Sequence, residues 1–324
     1  MRSLLIASAC ALAFAHAGSA RAEVYPSRPI TMVVPLPAGF TFDVTARLLA
    51  EHMRGSLGQP IIVENVTGAS GSIGVGRVAR ATPDGYTLIF GGLNTHVLNS
   101  AALALPYDVL TDFEPIALIA TTPLLVVTNK SVAATDLKQL IAWLKANPGK
   151  GSQGTGGPGS LTHLAGVYFQ QKTGTRFASI PYRGGGAAIN DLLAGNLDLL
   201  IDLVPNSVPQ LRAGTIKAYA VLAKTRLAAT PDIPTVDEAG VPGLYVSAWQ
   251  AVWAPKGTPA AVIDKLNGAM VAAMADPALR ARLADLGEDI FPPEQQTPAA
   301  LAAWQKAEID KWWPILKAAN VAAQ

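Results

Sequence analysis

Cysteine and histidine are scarce in this chain. Of its 324 residues, one is cysteine, Cys10, and four are histidine. A lone cysteine excludes a disulfide framework, and neither an H-E-x-x-H motif nor a paired Cys/His spacing is present to bind zinc. We therefore predict neither a metal site nor a cofactor.

Charged residues are also few, at 15% of the chain, and the two signs nearly balance. The sequence has 25 lysines and arginines against 23 aspartates and glutamates, and it contains no basic run. Because proteins that bind nucleic acid usually carry a basic face, this composition argues against such a partner. Half of the residues are hydrophobic, which is enough for packed cores, and the length predicts about two domains.

The N-terminus carries an apolar run, residues 4–15, that is too short to span a membrane comfortably, since a span needs about 20 residues. A basic residue precedes this run, and Ala20-Arg21-Ala22 follows it as a small-x-small cleavage site. We interpret residues 1–22 as a cleaved secretory signal peptide, which predicts export to the periplasm. A lipoprotein signal ending at Cys10 is the alternative, but it leaves almost no apolar run before the cleavage point.

Short apolar runs alternate with helical patterns, which favours an α/β fold with largely parallel sheets. We predict strands at residues 30–34, 61–63, 87–90, 177–180, 197–203 and 216–223. We predict helices from residue 43, at 73–81, 137–144 and 187–193, and through most of the chain after residue 258.

Two breaks in this pattern predict that one domain is inserted into the other. The first is Thr121-Thr122-Pro123 between two apolar runs, and the second lies between residues 223 and 234. Domain 1 is then formed by residues 23–122 and 230–324, and domain 2 by residues 123–229. Two crossings imply a hinge, and small ligands usually bind in the cleft between two such domains.

A glycine-rich loop, residues 154–159, matches the dinucleotide-binding pattern G-x-G-x-x-G. That function needs a preceding strand and an acidic residue about 20 positions later. We predict no strand here, because residues 147–153 are polar, and residues 173–183 contain no acid. The loop precedes a helix beginning at Ser160, so its backbone N–H groups, together with Thr155 and Gly156, are suited to bind a carboxylate.

Residues 35–43, with the sequence PLPAGFTFD, join the first strand to the first helix, where open α/β sheets bind ligands. Gly39 allows close backbone approach, Thr41 offers a hydroxyl, and Asp43 is a natural N-cap. Phe40 and Phe42 are expected to form apolar pocket walls. An ordinary capped turn is the equally weighted alternative.

Three further groups of residues have functional and structural interpretations that compete. Asn94, Thr95 and His96 follow a strand on the presumed cleft side, although a structural role for His96 is at least as well supported. Asp202 at a strand end either orients the amides of the cleft or caps a helix. Trp249 and Trp253 are interpreted as packing residues of the core and hinge.

Catalysis finds little support, because the sequence has no G-x-S-x-G motif and no cysteine beyond the signal peptide. A secreted α/β enzyme acting on small carboxylic acids remains an alternative, and its only acid–base candidates are Asp202 and His96. We therefore expect a binding protein rather than an enzyme. A sensory protein that signals through a membrane kinase is a second alternative.

Several short motifs occur in an order that resembles the extracytoplasmic solute receptors of tripartite tricarboxylate transporters, the Bug-type receptors. The matching segments are residues 25–30, 35–43, 58–65, 68–76, 79–88, 159–164, 181–184 and 254–259. The resemblance implies a type II periplasmic-binding-protein fold with two α/β domains closing on a carboxylate. It also implies a membrane permease as partner, and we expect a monomer.

Carried onto this sequence, the resemblance places the ligand among four loops. The predicted ligand-binding residues are Gly39, Phe40, Thr41, Phe42, Asp43, Asn94, Thr95, His96, Thr155, Gly156, Ser160, Tyr182, Arg183, Gly184 and Asp202. Family members commonly have a glycine-rich first loop, whereas Phe40 and Phe42 stand in this one. We therefore expect an aromatic or partly apolar mono- or dicarboxylate rather than a small hydrophilic one such as citrate.

Overall fold

The computed structural model describes residues 25–318 except 184 and 228. Its strands are β1 (Ile30–Val34), β2 (Ile61–Asn65), β3 (Thr87–Gly92), β4 (Phe113–Asn129), β5 (Gly151–Thr155), β6 (Phe177–Pro181), β7 (Leu199–Leu203), β8 (Ile216–Val221), β9 (Ser247–Pro255) and β10 (Asp289–Ile290). Its helices are α1 (Thr41–Leu57), α2 (Ser72–Ala79), α3 (Asn99–Ala102), α4 (Leu137–Ala146), α5 (Leu161–Thr173), α6 (Gly185–Ala194), α7 (Val204–Arg212), α8 (Ala260–Ala275), α9 (Pro277–Asp285) and α10 (Pro298–Ala318). A π-helical turn, Asn94–Leu98, follows β3.

The strands pair in the order β2-β1-β3-β9-β4-β7-β5-β6, with β8 and β10 also paired to β4. Pairing is parallel among β1, β2 and β3 and among β5, β6 and β7. It is antiparallel wherever β4 or β9 takes part. The prediction of largely parallel sheets is therefore correct for the outer strands and wrong for the centre.

Strand β4 is shared by two halves of the sheet. Its residues up to Pro123 pair with β9, and from Leu124 onward they pair with β7 and β8. We predicted an interruption at residues 121–123, but the backbone stays extended there. Proline is tolerated because it lacks only the N–H donor and fits an extended conformation.

The chain returns to the first half at β9. Before that strand, Thr235 pairs with Val221, and the N–H of Val246 donates to the carbonyl of Leu222 in the second half. The first half therefore contains β1, β2, β3, β9 and β10, and the second half contains β5, β6, β7 and β8.

The core is apolar and continuous across β4. One cluster of buried side chains extends from Val33 and Ile89 in the first half to Phe169 and Leu199 in the second. Trp249 and Trp253 are buried within it, as predicted. Burial of large side chains such as these contributes about 1.5–3 kcal/mol each.

Most other predicted elements are confirmed, but the structure also contains elements that we did not predict. Residues 151–155 form β5, although their polar sequence led us to predict no strand there. Residues 204–212 form α7, which contains Pro205 and Pro209, and residues 247–255 form β9; we predicted neither element. Over residues 25–318, with 184 and 228 left out, no helix has the length and apolar character that a bilayer crossing demands.

Candidate functional site

A cleft of about 960 Å³ separates loops of the two halves. We call it the main cleft, and its lining residues are Pro35, Leu36, Pro37, Thr67, Gly68, Ser70, Gly71, Asn94, Leu98, Asn99, Ala102, Leu103, Gly156, Pro158, Gly159 and Ser160. All of these residues are uncharged. An anion in this cleft would therefore be bound by neutral donors.

Asp43 organises the first loop from inside the protein. Its side chain is buried and accepts hydrogen bonds from the N–H of Gly39 at 2.8 Å and from Asn65 Nδ2 at 2.9 Å. It also forms an ion pair with Arg47, with Nη2 to Oδ1 at 2.9 Å. Burial by itself raises the pKa of Asp43, but the hydrogen bonds from Arg47, Gly39 and Asn65 outweigh this and keep the pKa below its usual value.

The prediction that Asp43 caps helix α1 is wrong. The helix begins at Thr41 and its N-cap is Phe40, so Asp43 is the third helical residue. Its carboxylate reaches back to Gly39 rather than to the helix. Gly39 has φ +84°, a left-handed conformation that other residues rarely adopt.

The two phenylalanines of this loop lie in different environments. Phe42 packs against the core, edge-on to Phe90 with ring centroids 5.9 Å apart. Phe40 is 63% exposed. Only Phe40 therefore offers a free apolar face beside the loop, and neither ring lines the main cleft, which the loop reaches through residues 35–37.

Residues 67–71 form a cleft wall that we did not include among the predicted site residues. Ala69 and Ser70 have positive φ, +44° and +56°, between Gly68 and Gly71. Such backbone strain in non-glycine residues is concentrated at functional sites. The carbonyl of Ser70 accepts a hydrogen bond from Asn99 Nδ2 at 2.8 Å, which joins this loop to α3. Two glycines flanking a short polar segment were the available sequence signal.

The π-helical turn brings only one of its three predicted residues to the main cleft. Asn94 is exposed and lines it. Thr95 is buried, and its methyl group underlies Gly71. His96 is completely buried, stacks on Trp253 with ring centroids 3.8 Å apart, and meets Thr95 Oγ1 through Nδ1. Burial lowers the pKa of His96 to about 3, so it is a neutral core residue.

The second half contributes the loop between β5 and α5. Ser160 is the N-cap of α5, and its Oγ accepts from the N–H of His163 at 3.2 Å. The N–H groups of Gly156, Gly157 and Gly159 donate within the loop, to Thr162 Oγ1, Thr155 Oγ1 and His163 Nδ1 respectively. Ser160 Oγ donates its own proton to the carbonyl of Gly157 at 2.7 Å. The donors left to a ligand are thus the first N–H groups of α5, those of Leu161 and Thr162, rather than the glycine amides that we predicted.

A second, smaller cavity of about 110 Å³ lies beside this loop, and we call it the side pocket. It is lined by Gly154, Thr155, Gly156, Thr162, Gly185, Ala188, Leu200, Ile201, Asp202, Leu203 and Asn206. Gly156 lines both cavities, so the side pocket adjoins the main cleft. Three predicted site residues, Thr155, Gly156 and Asp202, meet here.

The last predicted segment surrounds Tyr182. Its hydroxyl donates to Asp191 at 2.7 Å, and this bond, more than burial, raises the pKa of Tyr182 to about 12. Arg183 is exposed, and neither residue lines the main cleft or the side pocket. Gly184 lies outside the described residues. Elsewhere in the described chain, no three His, Cys, Asp or Glu side chains gather as metal ligands would.

Sequence comparison identifies the family to which this two-lobed arrangement belongs. The profile of the tripartite tricarboxylate transporter family receptor matches residues 45–321, most of the chain. The chain belongs to this receptor family. Its fold is therefore that of a type II periplasmic binding protein, as the sequence analysis expected.

Three solved structures of the same fold illustrate what related receptors bind. The periplasmic binding protein BugD is 38% identical, with 93% of this chain and 100% of BugD covered and a TM-score of 0.74. MatC from Rhodopseudomonas palustris, with bound malate, is 37% identical, with 90% and 100% covered and a TM-score of 0.73. Rpa4515 from R. palustris, with adipate, is 33% identical, with 93% and 100% covered and a TM-score of 0.76. Membership in this receptor family implies a periplasmic location.

Proposed function

We propose that this chain is a periplasmic receptor that binds an organic carboxylate in the main cleft and delivers it to the permease of a tripartite tricarboxylate-type transporter. The observation that carries the proposal is an uncharged cleft built by loops of both halves. Neutral donors at helix N-termini and hydroxyl groups bind carboxylates well, since charge-assisted hydrogen bonds contribute about 1.5–3 kcal/mol each. Residues 1–22 would direct export and then be removed.

The two halves would act as the two domains of the receptor. Strand β4 passes through both, and its partner changes from β9 to β7 at Pro123–Leu124. We propose that this change of partner makes the segment the hinge, because the strand pairs with one half on each side of it. A ligand that contacts both lobes favours the closed form, since only differential affinity can shift the equilibrium.

Ligand preference follows from the apolar share of the site. Leu36, Leu98, Leu103 and Pro158 line the main cleft, and the exposed Phe40 lies on the loop beside it. We propose that Phe40 covers an apolar ligand body on closure, so that aromatic or partly apolar carboxylates bind better than citrate. MatC and Rpa4515, whose structures contain malate and adipate, support the carboxylate class.

The enzyme alternative is disfavoured by where its acid–base candidates lie. His96 is stacked in the core beneath the first half, and Asp202 lies in the side pocket of the second. They do not face a common reacting atom, which general acid–base catalysis requires. We therefore propose binding without turnover.

A thermal-shift screen with benzoate, adipate, malate and citrate tests this proposal. A ligand at 100 times its Kd adds about 2.7 kcal/mol to the stability of the folded chain, which raises the melting temperature measurably. We expect a shift with benzoate or adipate and a smaller one with citrate. No shift with any carboxylate at millimolar concentration would refute the receptor function.

The variant Phe40→Ala tests the proposed role of the loop. We expect the affinity for benzoate to fall about tenfold, because contact with an aromatic face contributes about 0.5–1.5 kcal/mol beyond burial, while malate binding changes little. Ile62→Ala removes another exposed apolar side chain, 51% exposed on β2, and serves as the matched control. Equal losses of affinity for benzoate and malate would contradict the proposed apolar preference but not the receptor function.

A further inference from the structure

The side pocket presents a buried acid next to a cleft that we propose to bind anions. Asp202 is the penultimate residue of β7 and is 4% exposed. Among the described residues that line the side pocket, none is lysine, arginine or histidine, and no ion pair involves this carboxylate. A buried acid without a cation is unusual, because its desolvation is costly unless donors compensate.

Both carboxylate oxygens of Asp202 act as acceptors. Asn206 Nδ2 donates to Oδ1 at 3.1 Å, and Ser207 Oγ donates to Oδ2 at 2.8 Å. Burial raises the pKa of Asp202, and the hydrogen bonds from Asn206, Ser207 and the backbone of Leu203 oppose that rise by stabilising the ionised form. Each oxygen of an ionised carboxylate has about two acceptor sites, which leaves capacity for another donor from the side pocket.

The volume of the side pocket limits what that donor belongs to. A water molecule takes about 30 Å³ in the liquid, so 110 Å³ admits one end of a ligand rather than its whole body. Gly156 lines both the side pocket and the main cleft, and as a glycine it places no side chain at their border. A ligand that lies in the main cleft can therefore place one terminal group near Asp202.

We propose that the side pocket selects carboxylates whose far end carries a hydrogen-bond donor, a hydroxyl or an ammonium group, and that Asp202 accepts this hydrogen bond. This inference rests on the proposed receptor function and adds a specificity rule to it. A second carboxylate at the far end would face Asp202 and be disfavoured, because like charges in a poorly hydrated pocket repel strongly. A ligand with a plain apolar end would leave the acceptor without a partner.

Asp202 also has a structural role that the test must separate from selection. It precedes α7 and binds side chains of the first turn of that helix, Asn206 and Ser207. If this were its whole role, its replacement would weaken all ligands to the same extent. A change in the order of preference among matched ligands is therefore the decisive measurement.

The experiment uses calorimetry with two matched ligand series on the full mature chain. The first is benzoate, 4-hydroxybenzoate and benzene-1,4-dicarboxylate; the second is hexanoate, 6-hydroxyhexanoate, 6-aminohexanoate and adipate. In at least one series we expect the hydroxyl or amino compound to bind about tenfold more tightly than the dicarboxylate. In Asp202→Asn, whose amide donates as well as accepts, this ratio should fall about tenfold or invert.

Two further variants complete the design. Asp198→Asn is the matched control, because Asp198 lies just before β7 but binds Ser152, away from the side pocket. Ala188→Leu fills the side pocket while keeping Asp202, and should remove the advantage of the hydroxyl group even if Asp202→Asn does not fold. Ratios are compared within one preparation, so partial misfolding does not alter them.

The outcomes separate the two proposals. If a dicarboxylate binds wild type as tightly as the hydroxyl compound, or if neither variant changes the ratio, the specificity rule is overturned and the receptor function stands. If no compound of either series binds and the thermal-shift screen is also negative, the receptor function fails and the rule with it.

Discussion

At the scale of single residues, the site depends on buried side chains that never touch the cleft. Asp43 is the clearest example, because it joins Gly39, Arg47 and Asn65 beneath the first loop. Asn65, which donates to Asp43, also donates to the carbonyl of Leu36 at 3.0 Å, so this network holds residues 35–37, which line the main cleft. The conformation of the loop that faces a ligand therefore depends on side chains buried beneath it.

We predict that Asp43→Ala lowers the free energy of unfolding by about 2 kcal/mol, because it removes a buried carboxylate that accepts charge-assisted hydrogen bonds from Gly39, Asn65 and Arg47. It should also weaken ligand binding by loosening the first loop. Urea unfolding measures the first effect and calorimetry the second. Asp310→Ala, which removes an exposed partner of Lys306, is the control and should change stability by less than about 0.5 kcal/mol. Equal effects of the two substitutions would contradict the role given to Asp43.

The pKa of Asp43 gives this prediction a pH dependence. Because the folded pKa is lowered, the stabilisation is present above the unfolded value, near 3.9, and disappears as the pH falls through the folded value. Wild type and Asp43→Ala should therefore converge in stability in strong acid.

At the scale of elements, the loop between β5 and α5 distinguishes two neighbouring glycines. Gly156 lines the main cleft and has an ordinary φ, and a Cβ there would lie 3.1 Å from the Cβ of Ser160. Gly157 has φ +93°, and a Cβ there would meet nothing within 4 Å. One position is limited by space beside the ligand and the other by backbone conformation.

We predict opposite effects for alanine at these two positions. Gly156→Ala displaces Ser160 and narrows the cleft, so ligand affinity should fall about tenfold while stability changes by less than about 1 kcal/mol. Gly157→Ala forces a left-handed alanine, which should cost about 1–2 kcal/mol of stability with little change in affinity. Denaturation measures the stability of each variant and calorimetry its ligand affinity. A parallel loss of stability and affinity in both variants would refute the placement of Gly156, and not Gly157, beside the ligand.

At the scale of the whole molecule, two buried titratable groups have opposite effects on how stability depends on pH. His96 is stacked on Trp253, and burial lowers its pKa to about 3. Glu288, just before β10, is buried and accepts hydrogen bonds from Thr45 Oγ1 at 2.7 Å and from Gln250 Nε2. Burial raises the pKa of Glu288 to about 7 despite these bonds.

The two groups shift stability in opposite directions between pH 5 and 7. In the unfolded chain His96 takes up a proton as the pH falls below about 6.5, whereas in the folded chain its pKa is about 3 and it stays neutral. The free energy of unfolding therefore falls by about 2 kcal/mol from pH 7 to pH 5. In the unfolded chain Glu288 ionises as the pH rises above about 4.3, whereas in the folded chain its pKa is about 7 and it stays protonated longer. The free energy of unfolding therefore falls by about 2 kcal/mol from pH 5 to pH 7. The two contributions nearly cancel in wild type.

We predict that single substitutions reveal each contribution. Relative to wild type, His96→Phe should gain stability at pH 5 against pH 7, because only the Glu288 contribution is left. Glu288→Gln should show the reverse, with a relative gain at pH 7. Urea unfolding at both pH values gives the difference for each variant, and profiles parallel to that of wild type would show that these groups do not titrate as described.

Much of this protein was determined by local sequence. Short apolar runs predict β1 and β3, which are buried at nearly every residue, and the 3.6-residue period predicts α4, which buries one face. Motif order likewise indicated the receptor family that the sequence profile establishes. Both signals are patterns of residues that are close together in the sequence, so they can be recognised without the tertiary structure.

Tertiary structure decided what depends on distant partners. The polar segment 151–155 becomes a strand because β6 and β7 flank it, and His96 is a core residue because Trp253 stacks on it from β9. Likewise, Phe42 and Phe40 have the same side chain two positions apart, yet one packs on Phe90 and the other faces solvent. Burial is a property of the assembled fold, so no local pattern determines which polar or aromatic residue ends in the core and which beside the cleft.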